Sequence, residues 1–270
     1  MQRLIALGCL LLVSMLSWAE PSRVISTDAR VTEMLLALGA KQQLVAVDVT
    51  SAVPDLPSIG YHRQLPAEGL LSLQPDLIIG SEHMGPESTL EALKRAKVDV
   101  LQLPTAAHAA DLSKQLMILG QRLGRQAQAQ HLTSQLAMEL DQLRAHDLQG
   151  RKVAFLLMLD STKLRVAGQN TAGHAFIEML GGQNAVDFAN YRTLSAESLI
   201  ALQPEVLLVA SNSKGFSMAK LLSDLPVLNA TAAAKNDHIY QVDGSTLVAG
   251  LSMGAVQQAL DIHRQFAKPL

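Results

Sequence analysis

Cysteine is almost absent from this chain of 270 residues: there is one, Cys9, inside an apolar run near the start. Leu7-Gly8-Cys9 has a faint likeness to a lipoprotein processing site, but little apolar sequence precedes it and the run continues beyond it. Once that run is removed, no thiol is left for a disulfide or a thiolate metal site. Aromatic residues make up only 3% of the chain, with three tyrosines and five phenylalanines. No surplus of positive charge exists either: 22 basic against 24 acidic side chains give a formal charge of −2. A nucleic-acid partner is therefore not expected, since nothing would neutralise a phosphate backbone. No later stretch reaches membrane-spanning length without charges or turn residues, so insertion of the mature chain is not expected. The histidines at 62, 83, 108, 131, 146, 174, 238 and 263 include no pair four residues apart. An HExxH zinc motif is thus missing, as are a GxSxG elbow, a Walker loop and a GxGxxG turn. Nothing supplies a nucleophile and its base, and the expectation is that the chain is not an enzyme.

Hydrophobic residues are plentiful, at 49%, which is enough to build large cores and excludes wholesale disorder. Some of this excess is local. Arg3, the uncharged run Leu4 to Leu16 and the small-x-small step Ser17-Trp18-Ala19 read as a secretory signal peptide over residues 1–19. A run of that length is too short to cross a bilayer as a helix. An exported, periplasmic protein is the expectation.

An internal duplication organises the remainder. Ala67-Glu68-Gly69-Leu70-Leu71-Ser72-Leu73-Gln74-Pro75-Asp76 returns as Ala196-Glu197-Ser198-Leu199-Ile200-Ala201-Leu202-Gln203-Pro204-Glu205. In each copy the leucine spacing predicts a short helix, the Gln-Pro step ends it, and the apolar run that follows suits a strand buried in a parallel sheet. Strands are also predicted at Arg23–Ser26, Leu44–Val47 and Lys152–Leu159, and helices at Val31–Leu38 and Ala172–Leu180. The alternation implies α/β; two similar Rossmann-like lobes joined by a single long helix, with a ligand cleft between them. The boundaries are residues 20–124 for the N-terminal lobe, 125–148 for the connecting helix and 149–270 for the C-terminal lobe. Leu132, Leu136, Leu140 and Leu143 put a leucine stripe on that helix, which suits either a lobe-to-lobe strut or an ordinary amphipathic helix of one lobe.

Three loops could line the cleft. In Gly60-Tyr61-His62-Arg63-Gln64 a guanidinium stands two residues from a phenol, which favours the phenolate, a hard ligand for ferric iron. Tyr61 could equally pack half-buried on the repeated helix, with His62 and Arg63 in solvent. His83 and Met84 stand in the loop after the first duplicated strand, where they touch a ligand or are simply solvated. Gly168 to His174 leads into a helix whose amides could receive a carboxylate. His174 is there either a facing ligand or a polar residue of the first turn. Glu68 and Glu197 occupy matching first helical turns, where the helix dipole alone stabilises a carboxylate; they could also form a paired docking surface.

At this point the sequence resembles a known family. The paired-lobe pattern, the repeated Ala-Glu-x-Leu-x-x-Leu-Gln-Pro-[Asp/Glu] segment and the intervening helix resemble the substrate-binding proteins of vitamin B12, siderophore and heme ABC importers. Within that group, Gly60-Tyr61-His62-Arg63-Gln64-Leu65-x-Ala67-Glu68-Gly69 is similar to the bacterial periplasmic heme-binding proteins. The resemblance implies a monomeric carrier that captures ferric heme on Tyr61, with heme as transported ligand rather than cofactor. It implies that Arg63 lies beside the phenolate, with His62, His83, Met84 and His174 as further heme contacts. Glu68 and Glu197 would then meet the two subunits of an ABC importer permease. Lys163, Arg165, Arg192 and Lys214 are the cations available for the heme carboxylates. A ferric siderophore or a corrinoid is the alternative cargo, and an exported α/β enzyme the alternative class.

Overall fold

The computed structural model describes residues 20–51, 53–145, 148–160, 163–211 and 217–267, so the predicted export signal lies outside the described residues. The N-terminal lobe runs β1 (Val24–Ser26), α1 (Ala29–Ala37), β2 (Leu44–Val47), α2 (Ala67–Ser72), β3 (Leu77–Ser81), α3 (Glu87–Arg95), β4 (Asp99–Leu103) and α4 (Ala109–Arg122). Its strands form one parallel sheet in the order β2-β1-β3-β4. Helix α5 (Gln126–Ala145) then leads to β5 (Lys152–Asp160), β6 (Lys163–Ala167), α6 (Ala172–Met179), β7 (Gln183–Asn184) and β8 (Tyr191–Thr193). The chain ends with α7 (Ala196–Ala201), β9 (Val206–Ser211), α8 (Met218–Asp224), α9 (Ala232–Lys235), β10 (Ile239–Asp243) and α10 (Met253–Phe266).

The duplication is visible in the sheets. The neighbours β7-β5-β9-β10 repeat the order β2-β1-β3-β4 in parallel pairing. The C-terminal lobe adds what the repeat did not predict: β6 returns antiparallel to β5, and β8 antiparallel to β6, so that sheet is mixed. The strand after each repeat, β3 and β9, is buried along its whole length, which is why both read as unbroken apolar runs.

Both repeats use the same local devices. Gln74 and Gln203 stop their helices in the left-handed region, at φ +46° and +49°, immediately before a proline that cannot continue the helix. The acidic residue after the proline ties back the first strand of its lobe. Asp76 Oδ2 accepts from Ser22 N, Ser22 Oγ and Arg23 N, each at 2.9 Å. Those donors hold the Asp76 carboxyl below the usual range. Glu205 Oε2 likewise accepts from Lys152 N at 2.9 Å. The tenth position of the repeat is thus acidic in both copies because it fastens β1 or β5.

Helix α5 has 20 residues, about 30 Å at 1.5 Å per residue, and starts after Gly124 in the left-handed conformation. Leu132, Leu136 and Leu143 of the predicted stripe are buried, and Leu140 packs against the same core. That core is continuous beneath both sheets, joining Leu35 of α1, Leu119 of α4, Phe155 of β5 and Val256 of α10. Each leucine buried there contributes about 1.5–3 kcal/mol. Separate apolar clusters cover the outer faces of the two sheets.

Helices α4 and α5 approach closely at Gly120, where an added Cβ would lie 2.4 Å from the Ala129 Cβ and 3.1 Å from the Arg125 carbonyl oxygen. Gly120→Val is therefore expected to lower unfolding stability by about 1–3 kcal/mol through overpacking. Urea denaturation checks this, and an unchanged midpoint would show that the helix pair can move apart freely.

Candidate functional site

In α/β sheets ligands sit beyond the carboxyl ends of the strands. The Tyr61 loop lies there, laid along the end of β2. Val47 N donates to the Pro57 carbonyl, Ile59 N to the Val47 carbonyl and Val49 N to the Gly60 carbonyl, at 2.9–3.1 Å. Gly60 turns the chain at φ +89°. On the far side the His62 carbonyl accepts from Gly85 N at 2.9 Å, and Leu65 N donates to the Gly85 carbonyl at 2.8 Å. Buried Ile59 and Leu65 anchor the two ends. Tyr61 is therefore presented from a fixed backbone with its side chain 43% exposed.

The neighbours of Tyr61 divide between the two sides of the loop. Arg63 faces a cavity of about 420 Å³ between the lobes, within the range usual for small-molecule sites. Tyr61 itself is not among the residues lining that cavity; it stands on the same loop, two residues before one that does. His62 and Met84 are not among the residues lining the cavity. His62 is 3% exposed and turns inward, its Nδ1 3.7 Å from Asp48 Oδ2. Met84 is 4% exposed and packs with Ile25, Ile59 and Leu65 in the lobe core, where an apolar thioether belongs.

His83 does line the cavity, beside Thr105. The Thr105 hydroxyl is 3.1 Å from His83 Nε2 and donates to Glu82 Oε1, which also accepts from Thr105 N at 2.8 Å. Those donors hold the Glu82 carboxyl below its ordinary range. The C-terminal lobe supplies most of the remaining wall: Phe155 and Leu157 of β5, Ala210 of β9, Arg165, Tyr191, and the segment from Leu247 to Gly250. The Arg165 guanidinium donates to the Tyr191 carbonyl at 2.9 Å and lies 5.6 Å from the Tyr191 ring centroid. Burial pushes the Tyr191 phenol up, and its oxygen accepts from Gly173 N at 3.3 Å.

The loop from Gly168 to His174 reaches the cavity through Asn170, Thr171 and Ala172 at the start of α6, but His174 does not. Its Nδ1 is 3.0 Å from Asn184 Nδ2 and its Nε2 is 3.5 Å from Glu178 Oε1. Both ring nitrogens thus have neighbours inside the lobe. Glu68 and Glu197 are exposed in the first turns of α2 and α7, and no ion pair forms at either among the described residues. The Ser195 hydroxyl and backbone amides keep the Glu197 carboxyl low. Among the cations, Arg192 stacks on Phe188 at 4.7 Å and Lys214 lies outside the described residues.

Sequence reasoning missed Tyr191, Thr105 and the segment after β10. Tyr191 was open to detection: at the offset of the repeat, Asn190-Tyr191-Arg192-Thr193-Leu194 aligns with Tyr61-His62-Arg63-Gln64-Leu65. The segment after β10 gave no comparable signal. It crosses to the other lobe, where Leu251 N donates to the Ala106 carbonyl at 2.9 Å and Gly250 forms a bridge with Ala106. Nearby, Glu33 of α1 accepts from Gly254 N at 2.7 Å and Met253 N at 3.1 Å, capping α10 from the opposite lobe.

Residues 24–246 match the profile of the family described as periplasmic binding protein. Among solved structures, the periplasmic heme-binding protein HutB of Vibrio cholerae is 37% identical, with a TM-score of 0.83 over 91% of this chain and 99% of that one. A periplasmic heme-binding protein from Pseudomonas aeruginosa is 32% identical, with a TM-score of 0.82 over 93% and 95%. A vitamin B12-binding protein of Vibrio parahaemolyticus is 29% identical over 83% of this chain and 82% of its own length.

Burial pushes the Glu33 carboxyl above the ordinary glutamate range, against the pull of Ser252, Gly254 and Met253. The folded chain thus keeps this proton to higher pH than the unfolded chain. The contribution of Glu33 to stability falls as pH rises from the ordinary value through the raised one. Glu33→Gln retains an acceptor oxygen and removes the titration. Melting curves between about pH 4 and about pH 7 are expected to show the wild type losing stability relative to the variant as pH rises; parallel curves would place the slope elsewhere.

Proposed function

The chain belongs to the periplasmic binding protein family, and on that premise we propose that it captures ferric heme and delivers it to an ABC importer permease. One observation carries the reading. A rigidly presented, exposed phenol stands on the loop that sends Arg63 into a cavity of mixed polar and apolar lining, met from the other lobe by Arg165. Heme is an apolar plate with an electrophilic iron and two carboxylates. Tyr61 Oη supplies one hard oxygen ligand to the iron, and Arg63 stands beside it. Leu157, Leu247 and Val248 offer apolar surface to the porphyrin. Arg165 and the amides at the start of α6 suit a propionate.

The alternative is a corrinoid, which the similarity to a vitamin B12-binding protein keeps in view. A corrin ring bears neutral amides at its rim and cobalamin carries a single phosphodiester anion, so at most one of the two cavity arginines would meet a charge there. Heme answers both charges, and the 37% and 32% identities with two heme-binding proteins point the same way. Delivery needs release, and a single protein ligand on the iron leaves the opposite face less firmly held. Export through the leader at residues 1–19 places this capture in the periplasm. Glu68 and Glu197 stand exposed, one per lobe, and we assign them the contact with basic residues on the two permease subunits.

Visible titration of the purified protein with ferric heme and with cobalamin tests the cargo. Wild type is expected to bind about one heme with a phenolate-to-iron charge-transfer band, and cobalamin far more weakly. Tyr61→Phe should remove the band and weaken heme binding at least about tenfold; an unchanged band and affinity would refute the ligand assignment. For docking, the Glu68→Ala/Glu197→Ala chain is expected to bind heme as the wild type does but to fail in reconstituted import. Undiminished import would reduce both residues to carboxylates stabilised by their helix ends.

A further inference from the structure

Asp48 ends β2 with no exposure to solvent. Burying a carboxylate costs several kcal/mol, and apolar side chains of similar size often serve stability equally well. The carboxylate is immobilised by hydroxyls. Oδ2 accepts from Thr50 Oγ1 at 2.7 Å and Oδ1 from Ser51 Oγ at 2.7 Å. Ser51 Oγ lies 2.8 Å from Thr32 Oγ1, which donates to Ser26 Oγ at 2.7 Å. The chain of hydroxyls therefore runs back to α1 and β1. Asp48 also faces the buried His62 imidazole, whose Nδ1 has no hydrogen-bond partner among the described residues and lies 3.7 Å away, and its charge is felt by the buried Asp28 carboxyl. The His62 ring centroid is 4.3 Å from that of Tyr61, the planes tilted by 50°.

We propose that Asp48 is a positioning residue for the Tyr61 phenol, acting through the buried His62 ring that stands between them. The inference rests on Tyr61 as the heme ligand. Asp48 is fixed by the hydroxyls, its charge orients the imidazole, and the imidazole backs the phenol from beneath the loop. The backbone bonds at Gly60 and His62 fix where Tyr61 starts; the Asp48–His62 pair fixes where its ring points. A ligand side chain that is one-third to one-half exposed needs such backing, since its rotamer is not decided by packing on all sides.

The test uses the mature protein labelled with [13C]tyrosine, whose three rings (Tyr61, Tyr191 and Tyr240) give few signals. In the ligand-free protein Asp48→Ala and His62→Phe are each expected to shift the Tyr61 ring signal and leave those of Tyr191 and Tyr240 in place. With ferric heme the same variants should weaken binding about tenfold and displace the charge-transfer band. Asp48→Asn, which keeps an acceptor for Thr50 and Ser51, should recover part of both effects. The double variant should be no worse than the worse single one, because the two residues act in series. A Tyr61 signal and band unchanged in Asp48→Ala would overturn the proposal, whatever happens to the melting temperature. If Asp48→Ala does not fold, Asp48→Asn and His62→Phe decide on the same readouts. A wild-type protein without any charge-transfer band would sink the heme reading alone, since the ring signals of the ligand-free protein still judge the Asp48–His62 link.

Discussion

The arrangement of this protein depends on the place where two backbones meet with no side chain between them. A Cβ on Gly250 would lie 2.7 Å from Ala106 N and 2.8 Å from the Ala106 carbonyl oxygen, and Gly250 holds φ at +108°. Few residues other than glycine can adopt that conformation, and none with a Cβ fits that space. The contact carries Val248 and Ala249 to the cavity wall opposite Thr105. Together with the Glu33 cap on α10 it holds the carboxyl ends of the two sheets around one shared space. The chain passes between the lobes through α5, but the cavity floor is made where the lobes touch again.

Two phenols then stand near that space with different surroundings. Tyr191 is half-buried, accepts a backbone hydrogen bond and lies under the Arg165 guanidinium, and desolvation pushes its ionisation up. Such a group is a neutral wall. Tyr61 is exposed on a loop whose backbone is bonded on both sides. The asymmetry fits the proposed carrier, in which one lobe would offer a ligand and the other a polar and apolar bed.

The loop residues that stand away from the cavity share a cause. His62 and Arg63 are successive residues of a 3₁₀ turn, whose side chains point about 120° apart, so His62 enters the core while Arg63 reaches the cavity. Proximity in sequence to a ligand loop does not carry over to proximity in space. His174 shows the same for a helix: at the third position of α6 it meets Asn184 and Glu178 on its own lobe. Glu178 lies one turn further along that helix, whereas Asn184 comes from β7, a contact no local pattern could announce.

Local chemistry was enough to read the strands, the helices, the leucine stripe and the twofold build of the chain, because periodicity and proline breaks act over a few residues. It was enough also to point to the loop of Arg63, which lines the cavity. The extra antiparallel strands, the crossing of Gly250 to Ala106 and the burial of His62 beside Asp48 were decided only by the tertiary structure. Each joins residues that are far apart in the chain, and its free energy comes from desolvation and close packing that exist only once the lobes have formed.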